Sequence, residues 1–198
     1  LATVGLGGRF VARAGTDAQQ KRILPALIQG KLKMAFAHVP PGGRYDLRQV
    51  GAKARAAGDG FIIDGDTRMV LHGGAADLLV VAARTAGADG DARGISLFLV
   101  ERTAPGVAVT EYRTLDNLRV ADVRFSGVQV ARDALLGAAG EGWALADEVV
   151  DYATALVCAE AIGAIKYAHD ATLDYLKTRR QFGVPIGSFQ ALQHRMVD

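Results

Sequence analysis

An α+β chain in three parts is what the sequence predicts. Residues 1–30 read as the end of a helical domain, 31–136 as an antiparallel β-barrel middle domain, and 137–198 as the first part of a helical bundle. Three observations carry that reading. The hydrophobic period changes from helical to alternating near Leu32 and back near Glu141. The middle holds six or seven short β-rich runs, each bounded by Gly, Pro, Asp or Asn, with no helical run between them. A proline-free helical pattern then runs from Glu141 to Thr178, on the order of 50 Å of helix at about 1.5 Å per residue.

In chain order, Thr16 and Gln19 form a capping box ahead of Ile23, Leu24, Leu27 and Ile28. Pro25 predicts either two short helices or a kink, and Gly30 a stop. Lys53 and Arg55 alternate with Ala52, Ala54 and Ala56, as one half-buried strand would. Phe61-Ile62-Ile63 leads into Asp64-Gly65, a hairpin turn pair, and then into Arg68–Leu71. Further strands are expected at 78–83, 95–100, 107–111 and 121–130. Leu145, Val149, Tyr152, Leu156, Ala159, Gly163, Tyr167, Ala171 and Leu176 mark the long helix, and a second one starts after Ser188. So long a helix needs partners along its length, so the chain reads as a piece of a longer polypeptide or one that needs other chains.

Composition excludes several classes. Half of the 198 residues are hydrophobic and 22% are charged, which rules out wholesale disorder. With 23 Lys+Arg against 21 Asp+Glu, the net charge of +2 is too balanced for a nucleic-acid or membrane-surface footprint. No apolar run reaches the roughly 18 residues of a membrane span. The start shows no export signal, and a single cysteine fits a reducing compartment, the cytoplasm. Cys158 itself reads as a small buried hydrophobe. His38, His72, His169 and His194 lack metal-ligand spacing. Gly87–Arg93 is expected to be a loop tip with solvated charges, and Glu160 a groove-facing group, a partner for a basic residue or, the favoured reading, a solvent contact.

Tyr175, Arg179, Gln181, Phe182, Gly183, Pro185, Ile186, Phe189 and Gln190 follow the order and spacing of a signature of the acyl-CoA dehydrogenase family, which the chain resembles over almost its whole length. Gly15-Thr16 through Leu24-Pro25, Asp59-Gly60-Phe61, Ala76-Asp77 and Leu136-Gly137 through Gly142 match further family segments. More narrowly, 35–38, 44–46 and 175–193 resemble the small subunits of pimeloyl-CoA dehydrogenases.

The resemblance implies a helical domain, a β-barrel and a four-helix bundle, with FAD between barrel and bundle and part of its site lent by a neighbouring subunit. It implies α,β-dehydrogenation of an acyl-CoA thioester, electron transfer to an electron-transfer flavoprotein, and a homo- or heterotetramer containing a related subunit. The positions it assigns to this chain's own flavin are Phe36, His38, Val39, Arg44, Tyr45, Met69, Val70 and Leu71. Those it lends across the interface are Arg179, Phe182 and Gln190. Val39 and Tyr45 stand where the family has a threonine and a serine, and Met69-Val70-Leu71 where it has Trp-Ile-Thr/Ser, so hydroxyl partners are missing.

The usual catalytic glutamate lies later than Asp198 in the family, and the minority position on the long helix is Ala153, which is no base. No catalytic residue is therefore assigned. Read without the resemblance, Arg179 is a last-turn cation capping helix carbonyls, and 69–71 an ordinary amphipathic strand. Two competing functions follow: a non-catalytic scaffold subunit of a heteromeric acyl-CoA dehydrogenase, and a stand-alone β-barrel ligand-binding module.

Overall fold

A computed structural model describes residues 1–197. The chain divides into two compact units, Leu1–Ala153 and the residues from Thr154 on.

The first unit opens on a turn-rich helical segment, Ala2–Gly8, wound through i→i+5 bonds such as Leu6 N–H to Leu1 O at 3.1 Å. Glycine is required there: a Cβ on Gly7 would lie 2.3 Å from Met34 Cβ. Helix α1 (Arg9–Ala14) and helix α2 (Asp17–Ile28) follow. The capping box at Thr16 forms as expected, and Gln19 also donates to the carbonyls of Asp133 and Leu135 at 2.7 and 3.0 Å. Helix α2 runs through Pro25 as one helix, so the expected split does not occur. Gly30 ends it with φ of 71°.

The strands are β1 (Met34–Ala37), β2 (Ala52–Ala57), β3 (Gly60–Leu71), β4 (Leu78–Arg84), β5 (Ile95–Glu101), β6 (Val107–Arg113), β7 (Arg119–Ala131) and β8 (Leu135–Leu136). They form one sheet in the order β6-β7-β3-β2-β4-β5-β8, with β1 beside β4. Most pairs are antiparallel, but β1 and β2 both run parallel to β4. That corrects the wholly antiparallel barrel: the sheet is mixed, although only short helical turns interrupt its strands. The hairpin turn also moves. It lies at Gly58-Asp59, since Ala57 pairs with Gly60, and β3 continues through Asp64-Gly65. Gly65 instead occupies an irregularity where a Cβ would sit 2.3 Å from Gly51 O.

Two cores lie on opposite faces of β4, which is why its sequence is apolar without alternation. Leu79, Val81 and Ala83 face an inner core with Ala35, Ala37, Ile63, Phe98 and Phe125. Leu78, Val80 and Ala82 face a second core containing Phe10, Ile23, Leu27 and Met34, joined by Ala146 and Val149. Those last two belong to the first turns of helix α3 (Gly142–Thr178). Arg9 and Arg13 of α1 contact Glu148 there, and the Arg9 guanidinium lies 4.1 Å from the Tyr152 ring centroid.

Arg84, at the end of β4, is the buried charge of this unit, with its side chain 5% exposed. Its guanidinium donates to the carbonyls of Ala86, Arg93, Arg48 and Asp91 at 3.3, 3.2, 2.8 and 3.0 Å. Nε sits 3.6 Å from the Asp89 carboxylate. The tip at 87–93 is therefore held from beneath through its backbone by Arg84, while its own charges, Asp89, Asp91 and Arg93, are exposed as expected.

The second unit contains the rest of α3, a hairpin of β9 (Arg180–Gln181) and β10 (Val184–Pro185), and helix α4 (Gln190–Val197). Leu176 is its buried apolar residue among those described. Cys158 is exposed rather than buried, and Glu160 is exposed as expected.

Candidate functional site

The predicted site residues fall into three groups. The first is the exit of β1. Alternation sends Met34 and Phe36 toward the helical core and Ala35 and Ala37 toward the inner one. Phe36 packs on Phe10 with centroids 4.7 Å apart, and His38 stacks on Phe36 at 5.1 Å with planes 5° apart. Stacking fixes the imidazole plane, and its Nε2 is buried without a hydrogen-bond partner among the described residues. Burial also pushes the His38 pKa down to about 4.

The unfolded chain therefore binds more protons than the folded one as the pH falls from 6.5 toward 4. Stability is lost through that window and is insensitive to His38 above it. Between pH 7 and pH 5 the native protein is expected to lose about 1–2 kcal/mol more than His38→Leu. Urea denaturation at the two pH values checks this, and parallel losses in both proteins would refute it.

The second group lies on β3, next to that exit. Arg68 N–H donates to Val39 O at 2.8 Å, tying β3 to the residue after His38. The strand then bulges: Thr67 pairs with Val123 and Val70 with Ala121, so Arg68 and Met69 together oppose the single residue Asp122. Met69 takes a left-handed conformation, φ 52°, and is 57% exposed. Val70 returns to the inner core, and Leu71 is half-buried.

Asp122 accepts from the Met69 N–H at 3.2 Å and from the Tyr112 hydroxyl at 2.9 Å, and pairs with the Arg68 guanidinium. Burial works to raise its pKa, but hydrogen bonds from Tyr112, Met69 and Arg68 outweigh it and hold the carboxyl below its ordinary value. The Tyr112 phenol moves the other way, raised by burial and by its bond to Asp122. Sequence reasoning missed this arrangement, because nothing in Tyr112 or Asp122 alone marks them as partners of Met69.

Arg44 and Tyr45 are not brought to these groups. They sit in the loop between β1 and β2, exposed and, among the described residues, without side-chain partners; Tyr45 is 97% exposed.

The third group belongs to the second unit. Phe182 and Gly183 both have positive φ, 53° and 81°, and form a two-residue turn between β9 and β10. Phe182 is 92% exposed, with an edge contact to Phe189 at 6.1 Å. Arg180 donates to Gly183 O at 2.9 Å. Arg179 is different. Its backbone is fixed at both ends, to Tyr175 O and from Ile186 N–H, yet its guanidinium makes no hydrogen bond or ion pair among the described residues. It does not cap helix carbonyls. Gln190, at the start of α4, is likewise exposed with an unbonded side chain.

Among the described residues no group of three His, Cys, Asp or Glu side chains is placed to hold a metal ion, and no helix is long and apolar enough to cross a membrane.

Comparison with known proteins converges on one family. The model for "Acyl-CoA dehydrogenase, middle domain" matches residues 35–128, and that for "Acyl-CoA dehydrogenase, C-terminal domain" matches residues 140–198. Mitochondrial isovaleryl-CoA dehydrogenase of Oryza sativa is 30% identical over 191 residues, covering 95% of this chain and 46% of that protein. A subunit of the caffeyl-CoA reductase-Etf complex of Acetobacterium woodii is 30% identical, covering 98% and 52% respectively. Among solved structures, an acyl-CoA dehydrogenase from Geobacillus kaustophilus superposes with a TM-score of 0.89 at 32% identity, over 98% of this chain and 52% of that one. The chain thus spans about half the length of the relatives it matches.

Proposed function

The chain belongs to the acyl-CoA dehydrogenase family, and from that premise we propose that it forms part of an FAD-dependent enzyme that dehydrogenates an acyl-CoA thioester between its α and β carbons. FAD, when bound, supplies the hydride acceptor for the β-carbon. The observation that carries the proposal is the set of unused contacts at the family's flavin positions. Among the described residues, His38 offers a buried, unpartnered Nε2, Met69 an exposed thioether in a strained conformation, and Arg179 a guanidinium with no partner. His38 and Met69 fit the ring of a large, planar, polar-edged dinucleotide, with a nitrogen for its edge and a polarisable apolar contact for its face, and Arg179 separately offers a charged fork that fits a pyrophosphate.

Within that reading, His38 and Met69 bind and orient the ring and Phe36 fixes the imidazole plane. Arg179, Phe182 and Gln190 serve the cofactor of an adjacent subunit. Arg44 and Tyr45 contribute from the loop between β1 and β2. An electron-transfer flavoprotein is the proposed electron partner, in line with the printed name of the Acetobacterium relative. The assembly is proposed as a cytoplasmic dimer of dimers with a larger related subunit, in keeping with the resemblance to pimeloyl-CoA dehydrogenase small subunits. A second reading is a scaffold subunit that only lends residues to its partner. Val39 and Leu71, which carry no hydroxyl, favour it.

The absorption spectrum of the purified full-length protein, alone and with its partner subunit, decides between them. Oxidised flavin near one per chain supports the enzyme, flavin only in the complex supports the scaffold, and none in either sinks both.

A further inference from the structure

Met69 is an exposed apolar residue in a conformation that L side chains rarely adopt, with φ of 52°. Left-handed backbone at a non-glycine residue persists only where its surroundings over-determine it, and such strain gathers at functional sites. Here the surroundings are identifiable. Arg68 and Met69 share a single opposite residue, Asp122, and its carboxylate holds both: Arg68 by an ion pair and Met69 through its N–H at 3.2 Å. Tyr112, from the next strand, fixes the same carboxylate oxygen at 2.9 Å. Arg68 N–H in turn reaches Val39 O, so the bulge is anchored on one side by Asp122 and on the other by the exit of β1.

We infer that Asp122 is a positioning residue: it holds the β3 bulge so that the Met69 side chain stays out of the strand's packed face and is presented to the flavin ring beside His38. The inference rests on the flavin reading above. It assigns to Asp122, and through it to Tyr112, a role that neither side chain has by touching the cofactor. A bulge held only by its own backbone would leave Met69 free to return to an ordinary extended conformation. Asp122 removes that freedom.

The test uses the full-length protein with its partner subunit and four variants: Asp122→Ala, Asp122→Asn, Met69→Gly and the double variant Met69→Gly/Asp122→Ala. Melting temperature and the flavin dissociation constant from a fluorescence titration are measured for each. Asp122→Ala is expected to melt lower and to bind flavin about three- to tenfold more weakly, the scale of a lost sulfur–ring contact. Asp122→Asn keeps an acceptor for the Met69 N–H and is expected to retain most of the affinity. In the double variant, glycine accepts the left-handed conformation without strain. Melting should therefore recover toward Met69→Gly, while flavin binding stays weak. Native flavin affinity in Asp122→Ala, whatever its melting temperature, overturns the inference and leaves Asp122 as a structural ion-pair partner. Equal flavin loss in Asp122→Asn and Asp122→Ala also overturns it, because charge rather than the hold on Met69 is then what matters. Absence of flavin from the native assembly overturns the proposed function and this inference with it.

Discussion

Arg84→Met is expected to lower the unfolding free energy of the full-length protein by about 3–5 kcal/mol, the range for breaking a buried charged network. Methionine keeps most of the stem volume, so the loss isolates the guanidinium. Four carbonyls from two loops converge on that group, at Arg48 and at Ala86, Asp91 and Arg93. A hydrogen bond to a charged group contributes about 1.5–3 kcal/mol, but four on one cation are not additive. Arg84→Lys should fall between the two, because an ammonium cannot span the same fork of acceptors. Chemical denaturation checks the series; a cost below about 1 kcal/mol for Arg84→Met would show that water replaces the guanidinium without penalty. The bond to Arg48 O also ties down the loop that carries Arg44 and Tyr45, so the same variant should make that loop more susceptible to proteolysis.

Arg179→Ala, made in this chain and assembled with its partner, is expected to weaken flavin binding by roughly ten- to hundredfold, the value of a lost charge-assisted contact to a pyrophosphate. Arg180→Ala is the internal control, since that guanidinium is already engaged with Gly183 O. A selective loss at Arg179 supports the shared site. Flavin content at native levels in Arg179→Ala, measured per complex, would make Arg179 an ordinary solvated cation at the end of a helix.

Much of this architecture was legible in the residue pattern, for physical reasons. The capping box at Thr16, the stop at Gly30 and the uninterrupted α3 follow from local chemistry, which needs no knowledge of distant partners. The turn at Gly58-Asp59 was not separable from Asp64-Gly65. Both pairs supply the positive φ that a turn or a bulge needs, and only the register with β2 decides between them. The parallel pairing of β1 with β4 joins segments forty residues apart and leaves no local trace.

At the site, the family positions were readable one by one, but their use was not. The left-handed Met69 contradicts the residue's own preference and is imposed by Asp122 from another strand. Arg84 lies just past the apolar run 78–83, and its role appears only once the loops are folded over it. Cys158 is exposed despite its apolar sequence neighbours, because apolar composition alone does not bury a helix face.

Helix α3 should keep two different clocks. Ala146, Val149 and Ala153 are buried, and the Glu148 and Tyr152 contacts add to them, so amide protons there exchange only when the core itself opens. Farther along the same helix, Leu156, Val157, Ile162, Ile165 and Tyr167 are exposed. In this chain on its own, the amides around them exchange through local fraying, orders of magnitude sooner. Deuterium uptake along one helix therefore reports directly on what covers it: wherever another helix or subunit settles on that apolar stretch, the fast clock slows to match the other.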